Sequence, residues 1–131
     1  MTSQFFKDKT AVVTGAGGTL CSAIAIELAR LGAKVALVGR TAEKLEPVAS
    51  TIRKGGGIAL PVIADVTAID AVRLACERIT EELGPCALLV NGAGGNRNDA
   101  VTTLTEFEPR EIEPNKLEAI RGFFDLDPER M

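Results

Sequence analysis

The sequence predicts an α/β chain whose parallel sheet is doubly wound, with strands in the order 3-2-1-4. Three observations predict this class. Four short apolar runs alternate with three helical patterns at short spacing, the arrangement of right-handed βαβ units. A glycine-rich turn stands where the first run hands over to the first helix. Proline sits in the middle of the third run. A residue that cannot donate to a β-ladder belongs on a sheet edge, where the doubly wound order puts strand three.

The first strand is Thr10 to Thr14, TAVVT, and the turn after it reads GAGG. Leu20, Ile24, Leu28 and Leu31 then recur at spacings of four, four and three, which predicts a helix packed through that face. Gly32 closes it as a C-terminal cap. The second strand is KVALV, Lys34 to Val38. Thr41 is placed to cap a second helix that carries Leu45, Val48 and Ile52 on one face. Gly55-Gly56-Gly57 ends that helix as a flexible turn. The third strand begins at Ile58 and runs through IALPVIADV, with Pro61 in its middle. A third helix presents Val72, Cys76, Ile79 and Leu83 on one face and stops at Gly84-Pro85. The fourth strand, CALLV from Cys86 to Val90, leads into Asn91-Gly92-Ala93-Gly94-Gly95.

The character changes after that. Residues 96–121 are polar and charged, include Pro109 and Pro114, and read as a long insert loop. Asp127 as N-cap and Pro128 at the first helical position mark the start of a further helix. The expected organisation is one domain: a βαβ core over 1–95, the insert over 96–121, and the beginning of a helix over 122–131.

At 131 residues the chain has material for one core, and its apolar share of 46% excludes general disorder. The net charge of −3 argues against nucleic acid or an anionic membrane as partner. The N-terminal MTSQFFKDKT has no apolar signal-peptide core, and no apolar run is long enough to span a bilayer, so a cytoplasmic protein is expected. Cys21, Cys76 and Cys86 form no CxxC pair and histidine is absent, so no metal site is assigned. All three cysteines read as small buried apolar residues in a reducing compartment. Tyrosine is absent too, so a mechanism that needs a tyrosine acid or base cannot run on this chain alone.

The glycine turn carries the chemistry. A pyrophosphate is well held at a helix N-terminus, where backbone N–H groups point at it and the helix dipole favours negative charge. The backbone must come close, so side chains must be small. Gly15, Gly17 and Gly18 meet that need, and Thr19 and Leu20 open the helix behind them. Thr19 offers a hydroxyl that can cap the helix or reach a phosphate. The residue after strand two decides the nucleotide: a carboxylate binds the ribose hydroxyls of NAD, and an arginine accommodates the extra phosphate of NADP. Here the strand ends Gly39-Arg40-Thr41, which favours NADP, with NAD as the alternative. It also argues against a methyltransferase, which places an acid there. Asp65 and Val66 meet the adenine edge, and Asn91, Ala93 and Gly94 allow close approach after strand four. All of these positions lie at the carboxyl ends of strands, the binding edge of such a sheet.

With TGAGGTLC after strand one, GR after strand two, DV after strand three and NGAG after strand four, the chain resembles the short-chain dehydrogenase/reductase family. Within it, GPCALLVNGAGGN, the polar insert and FFDLD resemble the D-mannonate oxidoreductase (D-fructuronate reductase) branch. The resemblance implies the N-terminal part of a Rossmann-type sheet, truncated before the catalytic half. It implies an intact enzyme that moves hydride between a nicotinamide and a sugar acid or polyol, and that is homo-oligomeric. The family's catalytic asparagine, serine and Tyr-x-x-x-Lys have no counterpart here, so no catalytic residue is assigned. The alternative is a dinucleotide-binding module without catalysis.

Three positions depart from the family pattern. Thr19 and Cys21 stand where TGxxxGxG has glycine, and Gly92 stands where the strand-four motif has its second asparagine. Cys21 replaces the glycine that allows close helix–strand packing. In the insert, Asn96, Arg97 and Arg110 are candidates to hold a sugar-acid carboxylate. Ending at Met131 would leave strand four as an exposed edge, so the isolated chain is expected to be marginal or aggregation-prone.

Overall fold

The computed structural model describes residues 4–94. A 3₁₀ turn at Gln4–Phe6 leads into β1 (Thr10–Thr14), α1 (Thr19–Arg30), β2 (Lys34–Gly39), α2 (Ala42–Lys54), β3 (Ile58–Ile63), α3 (Ile69–Leu83) and β4 (Cys86–Asn91). The four strands form one parallel sheet in the order β3-β2-β1-β4, as the sequence predicts. The insert over 96–121, with Asn96, Arg97 and Arg110, and the helix start at Asp127 lie outside the described residues. Among the described residues, no helix is long and apolar enough to cross a membrane.

Alternation along the strands divides the core into two layers. On one face, Ala11, Val13, Val35 and Leu37 pack with Leu45, Val48 and Ile52 of α2 and with the small side chains of α1. On the other, Val12, Ala36, Val38, Leu60 and Val62 meet Ala75, Ile79 and Leu83 of α3. Leu37, Leu45, Val13 and Val35 are the largest fully enclosed side chains, each worth about 1.5–3 kcal/mol of burial. β1 is buried along its whole length because β2 and β4 flank it. Pro61 pairs opposite Leu37 on β3, the edge strand, where its missing N–H faces no neighbour. β4 is the other outer strand among the described residues.

Two helices turn a different face to the sheet from the one their large residues suggest. In α1 the buried residues are Cys21, Ala25, Leu28 and Ala29, whereas Leu20 is 73% exposed and Ile24 and Leu31 are half-buried. This helix is apolar almost all round, and the side that approaches the sheet is the one with small side chains. In α3 the buried line is Ala75, Ile79 and Leu83, with Ala71 packed alongside. Val72 and Cys76 each sit one residue further round the helix and are exposed.

Only Cys21 is therefore a buried cysteine. Cys76 points away from the sheet, and Cys86 is exposed where the chain enters β4. Strand ends differ slightly too: β2 and β4 each extend one residue further than expected, and β3 stops at Ile63, leaving Asp65 and Val66 in the loop.

The glycine stops are ordered. Gly32 and Gly56, with φ of +97° and +82°, follow their helices in Schellman geometry. Gly32 N–H bonds Ala29 O, and Ala33 N–H bonds Leu28 O. Gly56 N–H bonds Arg53 O, and Gly57 N–H bonds Ile52 O. The glycine triplet is thus a defined cap rather than a flexible turn. Thr41 occupies the N-cap position of α2, but its hydroxyl makes no capping bond.

Candidate functional site: the carboxyl edge of the sheet

The site is built outward from Thr14, the last residue of β1. Its side chain is buried, and its hydroxyl oxygen accepts the N–H groups of Gly92 and Ala93, both at 3.1 Å. It donates in turn to Val90 O at 3.4 Å. One hydroxyl thus folds the exit of β4 onto the end of β1. Gly15 follows with φ +65°, a backbone conformation that side chains disfavour. A Cβ at Gly15 would also stand 2.5 Å from Gly92 O, so the turn runs directly against the Gly92–Ala93 peptide.

The rest of the turn is tied to the second βα unit. Ala16 is buried and its N–H bonds Val38 O at 3.2 Å, near the end of β2. A Cβ at Gly17 would stand 2.7 Å from the Lys44 Cβ, so the first turn of α2 touches the loop. Gly18 is the N-cap of α1, and its N–H returns to Gly15 O at 3.0 Å.

Thr19 is the first helical residue rather than the cap, and its hydroxyl caps nothing. The earliest backbone donor bonded into this helix is Ser22, to Gly18 O at 2.9 Å. Among the described residues the N–H groups of Thr19 and Leu20 meet no acceptor, although both residues are exposed. They are open donors at the positive end of a helix dipole. The first turn of α1 contains no acid, whereas Glu43 and Asp70 occupy the first turns of α2 and α3. Of the three helices, only α1 has no acid in its first turn to compete with an outside anion.

The other expected residues follow the same edge in the spatial order of the strands. Arg40 is exposed immediately after β2, and Asp65 and Val66 are exposed after β3. Asn91 ends β4 beside Thr14, with Ala93 and Gly94 beyond it. Three inter-strand spacings of about 4.8 Å set the breadth of the edge at roughly 14 Å. Asp65 is held locally: one carboxylate oxygen accepts the Thr67 N–H at 2.9 Å and the Thr67 hydroxyl at 2.7 Å. The hydroxyl first, then the N–H, hold its carboxyl below the ordinary value, and the positive charge of Arg40 adds a smaller pull. Arg40 therefore lies within electrostatic reach of Asp65.

Thr14, Lys44 and Thr67 are contributors that sequence reasoning did not single out. Asp followed two residues later by Thr is a recognisable side-chain turn signal. Nothing in the sequence points to Lys44, which reaches the loop only through the fold.

Residues 9–114 match the family model of short chain dehydrogenases. The chain belongs to the short-chain dehydrogenase family. It is 47% identical over 121 residues to UxuB of Bacillus subtilis, an uncharacterised oxidoreductase, covering 91% of this chain and 40% of that protein. A crystal structure from Haemophilus influenzae, described as a D-mannonate oxidoreductase with bound NAD, superposes with a TM-score of 0.69 at 36% identity. That match covers 93% of this chain and 42% of the other. An NAD⁺-bound xylitol dehydrogenase matches at 34% identity and a TM-score of 0.67, over 70% and 35% of the two chains. The chain thus spans about 40% of the length of the relatives it matches most extensively.

The family's strand order is present in the described residues, and its glycine turn and strand-four motif meet at Thr14, Gly15 and Gly92.

Proposed function

We propose that this chain supplies the dinucleotide-binding portion of a nicotinamide-dependent oxidoreductase. The observation that carries the proposal is the start of α1: open N–H groups, no acid in the first turn, and a turn too tight for side chains at Gly15 and Gly17. These features suit a pyrophosphate. When bound, the nicotinamide would accept or donate hydride. The chain's own residues would hold and orient it. Gly15, Gly17 and Gly18 would admit the phosphates, with donors from Thr19 and Leu20. Asp65 and Val66 would border the adenine, and Asn91, Ala93 and Gly94 would border the other half of the cofactor.

Arg40 supports NADP: it is an exposed cation after β2, and no carboxylate stands at the strand end to repel a ribose phosphate. The two NAD-bound neighbours favour NAD. Titration with both oxidised cofactors decides: tighter binding of NADP supports Arg40 as the selector, and tighter binding of NAD removes that role.

For the whole protein we propose the interconversion of D-mannonate and D-fructuronate, or of a similar sugar acid or polyol, within a homo-oligomer. The support is the likeness to the Haemophilus influenzae structure. The full-length gene product assayed with D-fructuronate and a reduced cofactor tests it, and turnover absent for every sugar acid and polyol tried contradicts it.

A further inference from the structure

We propose that Cys21 and Gly92 form an interlocked pair that sets how closely the loop after β4 approaches the phosphate-binding turn, which makes Cys21 a positioning residue for the dinucleotide. This inference rests on the dinucleotide reading above. Cys21 lies in the first turn of α1, buried against the sheet. A Cβ built on Gly92 would fall inside the Cys21 sulfur and would stand 2.8 Å from Thr14 O. Position 92 therefore has no room for a side chain, and the sulfur is what fills most of that room.

The Gly92–Ala93 peptide is held on three sides. The Thr14 hydroxyl accepts its N–H, from Ala93, and the Gly92 N–H before it; Gly15 lies against its carbonyl, and Cys21 fills the space beside the Gly92 Cα. A peptide gripped in this way cannot shift to absorb a change at position 21 or 92.

The family pattern has glycine at position 21 and a larger residue at 92; this chain has the reverse. Read singly, each departure damages the motif. Together they move volume across one contact while keeping it filled, and volume-conserving exchanges are the ones cores tolerate. The consequence is functional because the peptide they clamp borders Gly15, the first residue of the turn. If the pair is mismatched, the loop after β4 is levered away from the phosphate site.

The test is a double-mutant cycle on the full chain, read by NADP and NAD affinity (calorimetry) and by thermal midpoint. Cys21→Ala removes the sulfur and leaves the position 21 Cβ at 3.4 Å from a Cβ on residue 92, but that Cβ still stands 2.8 Å from Thr14 O. Cys21→Ala alone leaves the contact underfilled and should weaken affinity about three- to fivefold. Gly92→Ala alone should weaken binding at least tenfold. The double variant should recover part of that loss, the remainder being the contact with Thr14 O, and Cys76→Ala, on the outer face of α3, should recover none. Should Gly92→Ala not fold, Cys21→Leu overfills the same contact from the other side and should show the same loss. Additive effects of Cys21→Ala and Gly92→Ala on affinity overturn the proposal. So does coupling seen in the thermal midpoint but not in affinity, which would make the pair a packing contact only. A folded parent chain that binds neither cofactor removes the dinucleotide reading and the positioning role with it, while coupling in the midpoint would still report the steric interlock.

Discussion

The Thr14 hydroxyl accepts the Ala93 N–H at 3.1 Å, joining two strand ends that are 79 residues apart in the chain. It accepts the Gly92 N–H as well, so one side chain satisfies two donors where the loops of β1 and β4 meet. Thr14→Val keeps the shape and deletes the acceptor. Part-buried donors left unpaired are costly, and a loss of about 2 kcal/mol is expected in the unfolding free energy measured by denaturant titration. Thr14→Ser retains the oxygen and should lose less than half of that. Equal losses for Val and Ser would show that the methyl packing, not the hydrogen bonds, matters.

Gly17→Ala would place its Cβ 2.7 Å from the Lys44 Cβ, so α2 must move away from the turn. Overpacking of this kind costs on the order of 1–3 kcal/mol, and dinucleotide affinity should fall at least tenfold. Lys44→Ala should not rescue it, because the clash is with the Cβ, which alanine keeps. Lys44→Gly should restore affinity in part. Rescue by Lys44→Ala would place the conflict further out along the side chain.

The two Schellman glycines should respond differently to alanine. Gly56 has nothing within 4 Å of its Cβ position, so Gly56→Ala carries only the cost of a positive φ, about 1 kcal/mol. At Gly32 the Cβ would also approach the Lys7 Cα to 3.2 Å. Gly32→Ala should therefore be the more destabilising, as measured by thermal midpoint.

Asp65 sets a pH dependence. Its carboxyl is depressed in the folded chain by Thr67, with Arg40 secondary. A depressed carboxyl contributes stability above its unfolded value, near 4, and loses that contribution as pH falls through the lower folded value. In Asp65→Asn, the fall in thermal midpoint on acidification below about pH 4 should be shallower than in the parent. An unchanged slope would show that the Thr67 turn makes no contribution to stability.

The strand order, the glycine turn and the alignment of four loops along one edge were legible in the sequence because period, composition and chain order carry them. The packing faces of α1 and α3 were legible only in part: Leu28, Ile79 and Leu83 are buried as read. Leu20 and Val72 are large and correctly spaced, but the sheet takes Cys21, Ala25 and Ala75 instead, since small side chains let a helix come close. The hydroxyls of Thr19 and Thr41 also misled: both stand at helix starts, yet neither caps. Lys44 belongs to the site only through a contact between segments far apart in the chain, which no local pattern records.

The most direct measurement is a titration of the ¹⁵N-labelled chain with NADP, followed by backbone amide shifts. The dinucleotide account predicts saturable changes centred on Gly17 to Leu20, Arg40, Asp65 and Asn91 to Gly94, with the outer face of α3 unmoved. A folded chain with no saturable change, or with changes confined to Arg73, Cys76 and Thr80 on that outer face, would contradict it.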